Sequence, residues 1–117
     1  MKEKITIVLK VIHCNNTSES GHDEVFIKYT IDGGLEKRFP DKGYHALADG
    51  EDWEVDLPLT FSDNVIVALY DEDHSKRPST ADFLGSHTYF ATDPQPEKAN
   101  VSAPNGANYD LFTEKED

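Results

Sequence analysis

The sequence predicts an all-β protein, an antiparallel β-sandwich of about seven or eight strands. Three observations support this prediction. Short apolar segments rich in β-branched and aromatic residues recur along the 117 residues. Clusters of Gly, Pro, Asn and Asp separate these segments. No segment has a helical apolar period long enough to indicate a helix. We expect one domain, residues 1–117, because a chain of this length suits a single core.

The predicted strands follow one another at short intervals: residues 5–14, 24–31, 35–39, 52–61, 65–73, 83–90 and 109–112. Asp32-Gly33-Gly34 is a hairpin signal between the second and third strands. Pro58 predicts an edge position or a bulge for the fourth strand, because proline cannot donate to a ladder. The fifth strand is nearly all apolar, as a central strand is. Residues 113–117 read as a frayed acidic tail.

Charge and composition narrow the classes of partner. The net charge of −12 and the pI of about 4.6 disfavour nucleic acid and favour cations or a basic protein partner. Cys14 is the only cysteine, so the chain forms no internal disulfide. No apolar run is long enough to span a bilayer, and the first one alternates as a strand does. We therefore expect a cytoplasmic monomer, although a secreted chain without its leader would look the same.

Acidic residues gather where two predicted strands meet a loop. Asp71 and Asp73 are two positions apart, so their side chains project to the same side of an extended segment. Asp82 returns to the same region at the start of the next strand. Carboxylates crowded in this way repel unless one is protonated or a cation lies among them. Oxygen ligands favour Ca²⁺ over Zn²⁺, and the preceding acidic loop offers two further candidate ligands, Asp23 and Glu19.

Basic and imidazole side chains flank these acids. His22 and His74 could join the aspartates in a Zn²⁺ or Ni²⁺ site, which is an alternative to Ca²⁺. Lys76 and Arg77 at the loop tip, together with His74, are candidates to contact a lipid phosphate or a protein partner once a cation neutralises the site. The alternative is a solvated loop tip.

The segments DEVFIKYTI, DWEVDLPLTF, VIVALYDED and DFLG together resemble the C2 domain, the calcium- and phospholipid-binding β-sandwich, over about residues 4–90. By position, Asp71 and Asp73 match the family's paired loop aspartates. Asp82 matches the aspartate before its Leu-Gly, and Asp23 matches the aspartate that opens its second strand. The small size and the GYHAL segment look closest to short bacterial single-domain relatives.

The resemblance implies a binding module in which Ca²⁺ orders the loops and recruits a protein or an anionic headgroup. Glu24 stands where the family has proline, and no aspartate lies near Thr17, which indicates one ion rather than several. No nucleophile elbow, phosphate loop or HExxH occurs, so we expect no enzyme activity. One alternative is a metal-independent acidic module, of inhibitor or immunity type, that binds a basic partner. Another is packing in a larger assembly through a sheet edge.

Overall fold

A computed structural model describes residues 3–18, 21–72 and 81–116. Within these ranges the regular secondary structure consists of nine β-strands: β1 Ile5–Asn16, β2 Asp23–Ile31, β3 Glu36–Phe39, β4 His45–Leu47, β5 Asp52–Phe61, β6 Asn64–Glu72, β7 Ala81–Phe90, β8 Lys98–Ser102 and β9 Asn108–Glu116. None of the described residues belongs to a helix with the length and apolar character that crossing a membrane requires.

The strands form two antiparallel sheets that pack face to face. The first sheet has the order β5-β1-β9-β8, and the second has the order β3-β2-β6-β7, with β4 also paired to β2. β6 lies between β2 and β7, which confirms its prediction as a central strand. The hairpin predicted at Asp32 joins β2 to β3, and Gly34 N donates to Ile31 O at 2.8 Å. The predicted all-β sandwich is confirmed.

The core lies between the sheets and follows directly from alternation along the strands. β5 is the clearest case, because exposed and buried residues alternate over its whole length. Burying one large apolar side chain stabilises the fold by about 1.5–3 kcal/mol. The residues that β5 buries are Trp53, Val55, Leu57, Leu59 and Phe61.

β5 is an edge strand, as Pro58 predicts. It also contains a bulge: its register against β1 shifts between Leu9 and Val11, and Asp56 has a positive φ of 50°. Lys10 Nζ lies 2.9 Å from Asp56 Oδ1 at this point. A bulge, a proline and outward charges all oppose the addition of another strand at this edge.

The backbone of β7 lies close to β8 of the other sheet at Gly85. Gly85 has a φ of +135°, and the register between β6 and β7 shifts beside it. A Cβ at this position would lie 2.7 Å from Ser102 N and 2.8 Å from Val101 Cβ. Glycine is therefore required by both the backbone conformation and the contact.

Three segments differ from the sequence prediction. β4 and β8 lie in stretches predicted as irregular, and both are too short for a strand pattern to stand out from a loop. The predicted frayed tail is wrong for residues 113–116, because β9 continues to Glu116 and pairs with β1 as far as Thr6. Residues 113–116 have mostly exposed polar side chains, so the sequence gives no sign of the backbone pairing with β1 that stabilises this part of the strand.

Candidate functional site

The candidate site lies at one end of the second sheet, where each of the three neighbouring strands β2, β6 and β7 has an aspartate near its end. Val25 of β2 pairs with Asp71 of β6, and Asp71 pairs in turn with Asp82 of β7. Residues paired directly across an antiparallel ladder have Cβ atoms about 4.5–5.5 Å apart. Asp23 precedes Val25 by two positions and therefore lies on the same inner face. The fold thus brings Asp23, Asp71 and Asp82 to one end of one face.

Asp71 is buried in this arrangement, with 2% of its surface exposed. Its Oδ1 accepts a hydrogen bond of 2.6 Å from the backbone N–H of Glu24 on the adjacent strand. Asp82 is exposed, so the pair consists of one buried and one solvated carboxylate. Glu72 follows Asp71 on the opposite face, where its Oε1 lies 3.6 Å from Arg38. Alternation therefore separates the two adjacent acids of β6.

Asp23 is fully buried and its carboxylate is held from two sides. The Ser18 hydroxyl donates to Oδ1 at 2.6 Å, and the Ser18 backbone N–H lies within 3.1 Å of both carboxylate oxygens. From the opposite sheet, the Tyr109 hydroxyl donates to Oδ2 at 2.5 Å. Asp23 therefore ties the β1–β2 loop to β9, and its oxygens already serve these donors.

A buried thiol lies behind this contact. Burial, followed by the hydrogen bond to Asp23, raises the pKa of Tyr109 far above its ordinary value. Burial also raises the pKa of Cys14 to about 11, although a hydrogen bond with Tyr109 opposes the change. Cys14 is fully buried, as expected for a small apolar residue at this position. The Cys14 thiol and the Tyr109 hydroxyl are therefore both neutral near pH 7.

Sequence reasoning missed Ser18 and Tyr109 as partners of Asp23. The tyrosine is 86 positions from the aspartate, and no local pattern indicates which strands face each other across the sandwich. A serine five positions before an aspartate in a polar loop was the one available signal, because serine often binds nearby groups in loops.

Several predicted site residues lie outside the described part of the chain: Glu19, Asp73, His74, Lys76 and Arg77. His22 is described and exposed. Among residues 3–18, 21–72 and 81–116, no three His, Cys, Asp or Glu side chains are arranged so that they could hold a metal ion. The ligand roles of Asp23, Asp71 and Asp82 therefore stay predictions.

Comparisons with known proteins agree with this architecture. No family model matches the sequence, and no curated protein matches it. A C2 domain of plant extended synaptotagmin 1 matches with a TM-score of 0.55 and 9% identity, over 97% of this chain and 95% of that chain. Two structures of human GIVD cytosolic phospholipase A2 match with TM-scores of 0.53 and 0.51 and with 10% and 11% identity. They cover 97% of this chain but only 17% and 16% of the phospholipase chain.

The chain therefore has the fold of C2 domains, as the resemblance predicts. At these identities the likeness establishes the fold alone. A closer relation to short bacterial single-domain proteins stays a prediction.

Proposed function

We propose that the chain is a Ca²⁺-binding module built on the C2 fold. The observation that carries the proposal is the run of carboxylates Asp23, Asp71 and Asp82 at one end of the second sheet's inner face. Burying Asp71 beside another carboxylate raises the free energy of the metal-free state, and a cation offsets that cost. The likeness of the fold to C2 domains, together with the match of these aspartates to the family's loop positions, supports the same choice of site.

The donor set fits a hard divalent cation, because every candidate ligand here is a carboxylate oxygen. Asp71 and Asp82 would hold the ion from adjacent strands, and Asp73 and Glu19 remain candidates from the sequence. Asp23 acts mainly as a support, since Ser18 and Tyr109 already occupy its oxygens. The bound ion would supply positive charge, with open positions for an anionic headgroup or an acidic group of a partner protein.

Thermal unfolding of the metal-stripped chain, with and without millimolar Ca²⁺, tests the proposal. An ion that binds only the folded state at one hundred times its dissociation constant stabilises it by about 2.7 kcal/mol. For a domain of this size that free energy corresponds to a rise in melting temperature of roughly 5–15 °C. Mg²⁺ provides the comparison, because it dehydrates reluctantly and requires a stricter octahedral geometry.

Asp71→Asn and Asp82→Asn are the informative variants. An asparagine at position 71 can still accept the Glu24 N–H, so the first variant removes charge and keeps the hydrogen bond. Both should lose the Ca²⁺ response, and Asp82→Asn should melt at or above the parent temperature in chelator because repulsion is relieved. Glu54→Gln, at an exposed position on β5, is the matched control and should keep the full response. A melting temperature that Ca²⁺ leaves unchanged, or raises equally in all four proteins, contradicts the proposal.

A second candidate function is metal-independent binding of a basic protein. It is favoured by the outward face of β5, where Asp52, Glu54 and Asp56 lie at alternate positions of an edge strand. Such a row would steer a basic partner and make its association depend strongly on salt. Binding to a basic probe such as cytochrome c in chelator would have to fall steeply with ionic strength and be lost in Glu54→Gln/Asp56→Asn. Equal binding by that variant would rule this function out.

A further inference from the structure

The outer face of the first sheet carries a groove of about 1160 Å³ that is separate from the candidate metal site. β1 and β9 form its floor, and residues 95–98 form one wall. This wall is fixed to β9: Thr113 N donates to Glu97 O at 2.9 Å, and Thr113 Oγ1 donates to Pro96 O at 2.8 Å. Hydrogen bonds to β9 therefore hold the wall of the groove in place.

A row of polar side chains crosses the groove perpendicular to the strands. The ladder registers place His13 between Asp52 on one side and Asp110 on the other, with Asn100 beyond Asp110. His13 Nδ1 lies 2.5 Å from Asp52 Oδ1, which leaves Nε2 as the ring nitrogen that a ligand in the groove could reach. The row alternates carboxylate, imidazole, carboxylate and amide.

Asp110 is the central group of this row and is 5% exposed. Burial opposes its ionisation, but hydrogen bonds from Asn100 and Asn15 and the nearby Lys98 ammonium lower the pKa of Asp110 below its ordinary value. Asn100 Nδ2 donates to Asp110 Oδ1 at 2.9 Å, and Lys98 Nζ lies 3.6 Å from Oδ2. The carboxylate is charged and held in one orientation before any ligand arrives.

An apolar row lies directly beside the polar one. Val11 of β1 pairs with Phe112 of β9, two positions along each strand from His13 and Asp110. Phe112 is 36% exposed, so part of its ring faces the groove. Residues two apart on a strand are about 6.6–6.8 Å apart, which is close to the width of one sugar ring. A ligand that lies across both rows contacts the ring of Phe112 and the hydrogen-bonding groups of His13 and Asp110 at the same time.

The charges of the groove are nearly balanced, with one carboxylate more than its lysines, although the chain as a whole carries −12. Salt bridges join Lys98 to Asp110 and Lys10 to Asp56, and His13 pairs with Asp52. Three lysines face four carboxylates in the lining: Lys10, Lys98 and Lys115 against Asp52, Glu97, Asp110 and Glu114. A groove with this balance selects neither a strong anion nor a strong cation.

The groove also lies on a sheet face, where the ladders already use the backbone N–H and C=O groups. A peptide therefore finds no strand edge to extend. We propose that the groove binds a neutral oligosaccharide, with the C–H face of one sugar ring on Phe112 and hydroxyls bonded to Asp110 and His13. A carboxylate has about four acceptor sites on its two oxygens, so Asp110 can accept sugar hydroxyls in addition to its contacts with Asn100 and Lys98. The site operates without the metal.

Amide-resolved NMR of the full 117-residue chain in chelator tests this proposal. The probes are millimolar cellohexaose, xylohexaose, mannohexaose, maltohexaose and chitohexaose, with hexagalacturonate as the charged comparison. At least one neutral probe should give saturable shifts centred on Val11, His13, Asp110 and Phe112. Phe112→Ala should weaken that probe about tenfold, the loss expected for one aromatic contact.

Phe90→Ala is the matched control, because Phe90 is 46% exposed and lies on the other sheet. It should leave the affinity unchanged. Asn100→Ala provides a second variant on the exposed side of the polar row and should also weaken binding. The proposal is wrong if every neutral probe leaves these rows unshifted, if only hexagalacturonate shifts them, or if Phe112→Ala binds as tightly as Phe90→Ala.

Discussion

Replacing Gly85 with alanine tests the contact that fixes β7, and with it Asp82, against the first sheet. Two costs follow from the structure. A φ of +135° is strained for an L-residue by about 1–3 kcal/mol. The new Cβ would lie 2.7 Å from Ser102 N and 2.8 Å from Val101 Cβ, and relieving such overpacking costs about 1–3 kcal/mol. We expect a loss of about 2–6 kcal/mol, a large part of the roughly 5–15 kcal/mol that stabilises a typical domain.

Urea unfolding at constant pH in chelator measures this loss. Gly50→Ala is the matched control, because Gly50 also has a positive φ, of +84°, but an added methyl group would meet no described atom within 4 Å. It should cost only the conformational part, about 1–2 kcal/mol. If Gly85→Ala were no more destabilising than Gly50→Ala, β7 and β8 would not approach as closely as the structure describes.

Three further predictions concern buried polar groups. Because the pKa of Cys14 is raised to about 11, its thiolate fraction at pH 8 is about one in a thousand, against about one in four for an exposed thiol. A disulfide reagent should therefore label Cys14 only when the chain unfolds. Rapid stoichiometric labelling of the folded chain would contradict this prediction. Tyr109→Phe removes the donor to buried Asp23 and should cost about 1.5–3 kcal/mol in urea unfolding. Tyr89→Phe should be close to neutral, because the Tyr89 hydroxyl, although near Thr113, makes no hydrogen bond of normal geometry with the described residues; equal losses would refute the contact with Asp23. Because its pKa is lowered in the folded state, ionised Asp110 stabilises that state at pH values above the ordinary aspartate pKa of about 3.9. This stabilisation is lost as the pH falls through the lower pKa of Asp110 in the folded state. Asp110→Asn should therefore reduce the slope of unfolding free energy against pH at acid pH, and an unchanged slope would show that Asp110 does not contribute.

The sandwich was predictable because the strands that build its core alternate. Side chains on β5 face inward and outward in turn, and the sequence of residues 52–61 shows this directly. β8 alternates as well, but over only five residues and with two buried ones, which is too little to stand out from a loop. The last part of β9 shows no apolar pattern, because its pairing with β1 uses backbone groups that every residue has.

The candidate metal end was predictable in part for the same reason. Asp71 and Asp82 stand at the end of one apolar strand and the start of the next, so their proximity follows from a hairpin. The contact between Asp23 and Tyr109 does not follow from any local pattern. It depends on which residues of the two sheets meet, and that is set by packing over the whole core.

The two proposed sites meet at consecutive residues of one strand. Tyr109 faces inward and holds Asp23 at the metal end, whereas Asp110 faces outward and lies in the groove. Adjacent residues of a strand must point to opposite faces, so β9 serves both sites with side chains that do not compete. β9 is also hydrogen-bonded to β1 along its length and to β8 over residues 108–112, which resists a shift of its backbone. An ion that draws Asp23 toward the loops would therefore change the Tyr109 hydrogen bond before it moved Asp110, and we expect the two proposed functions to be separable by mutation.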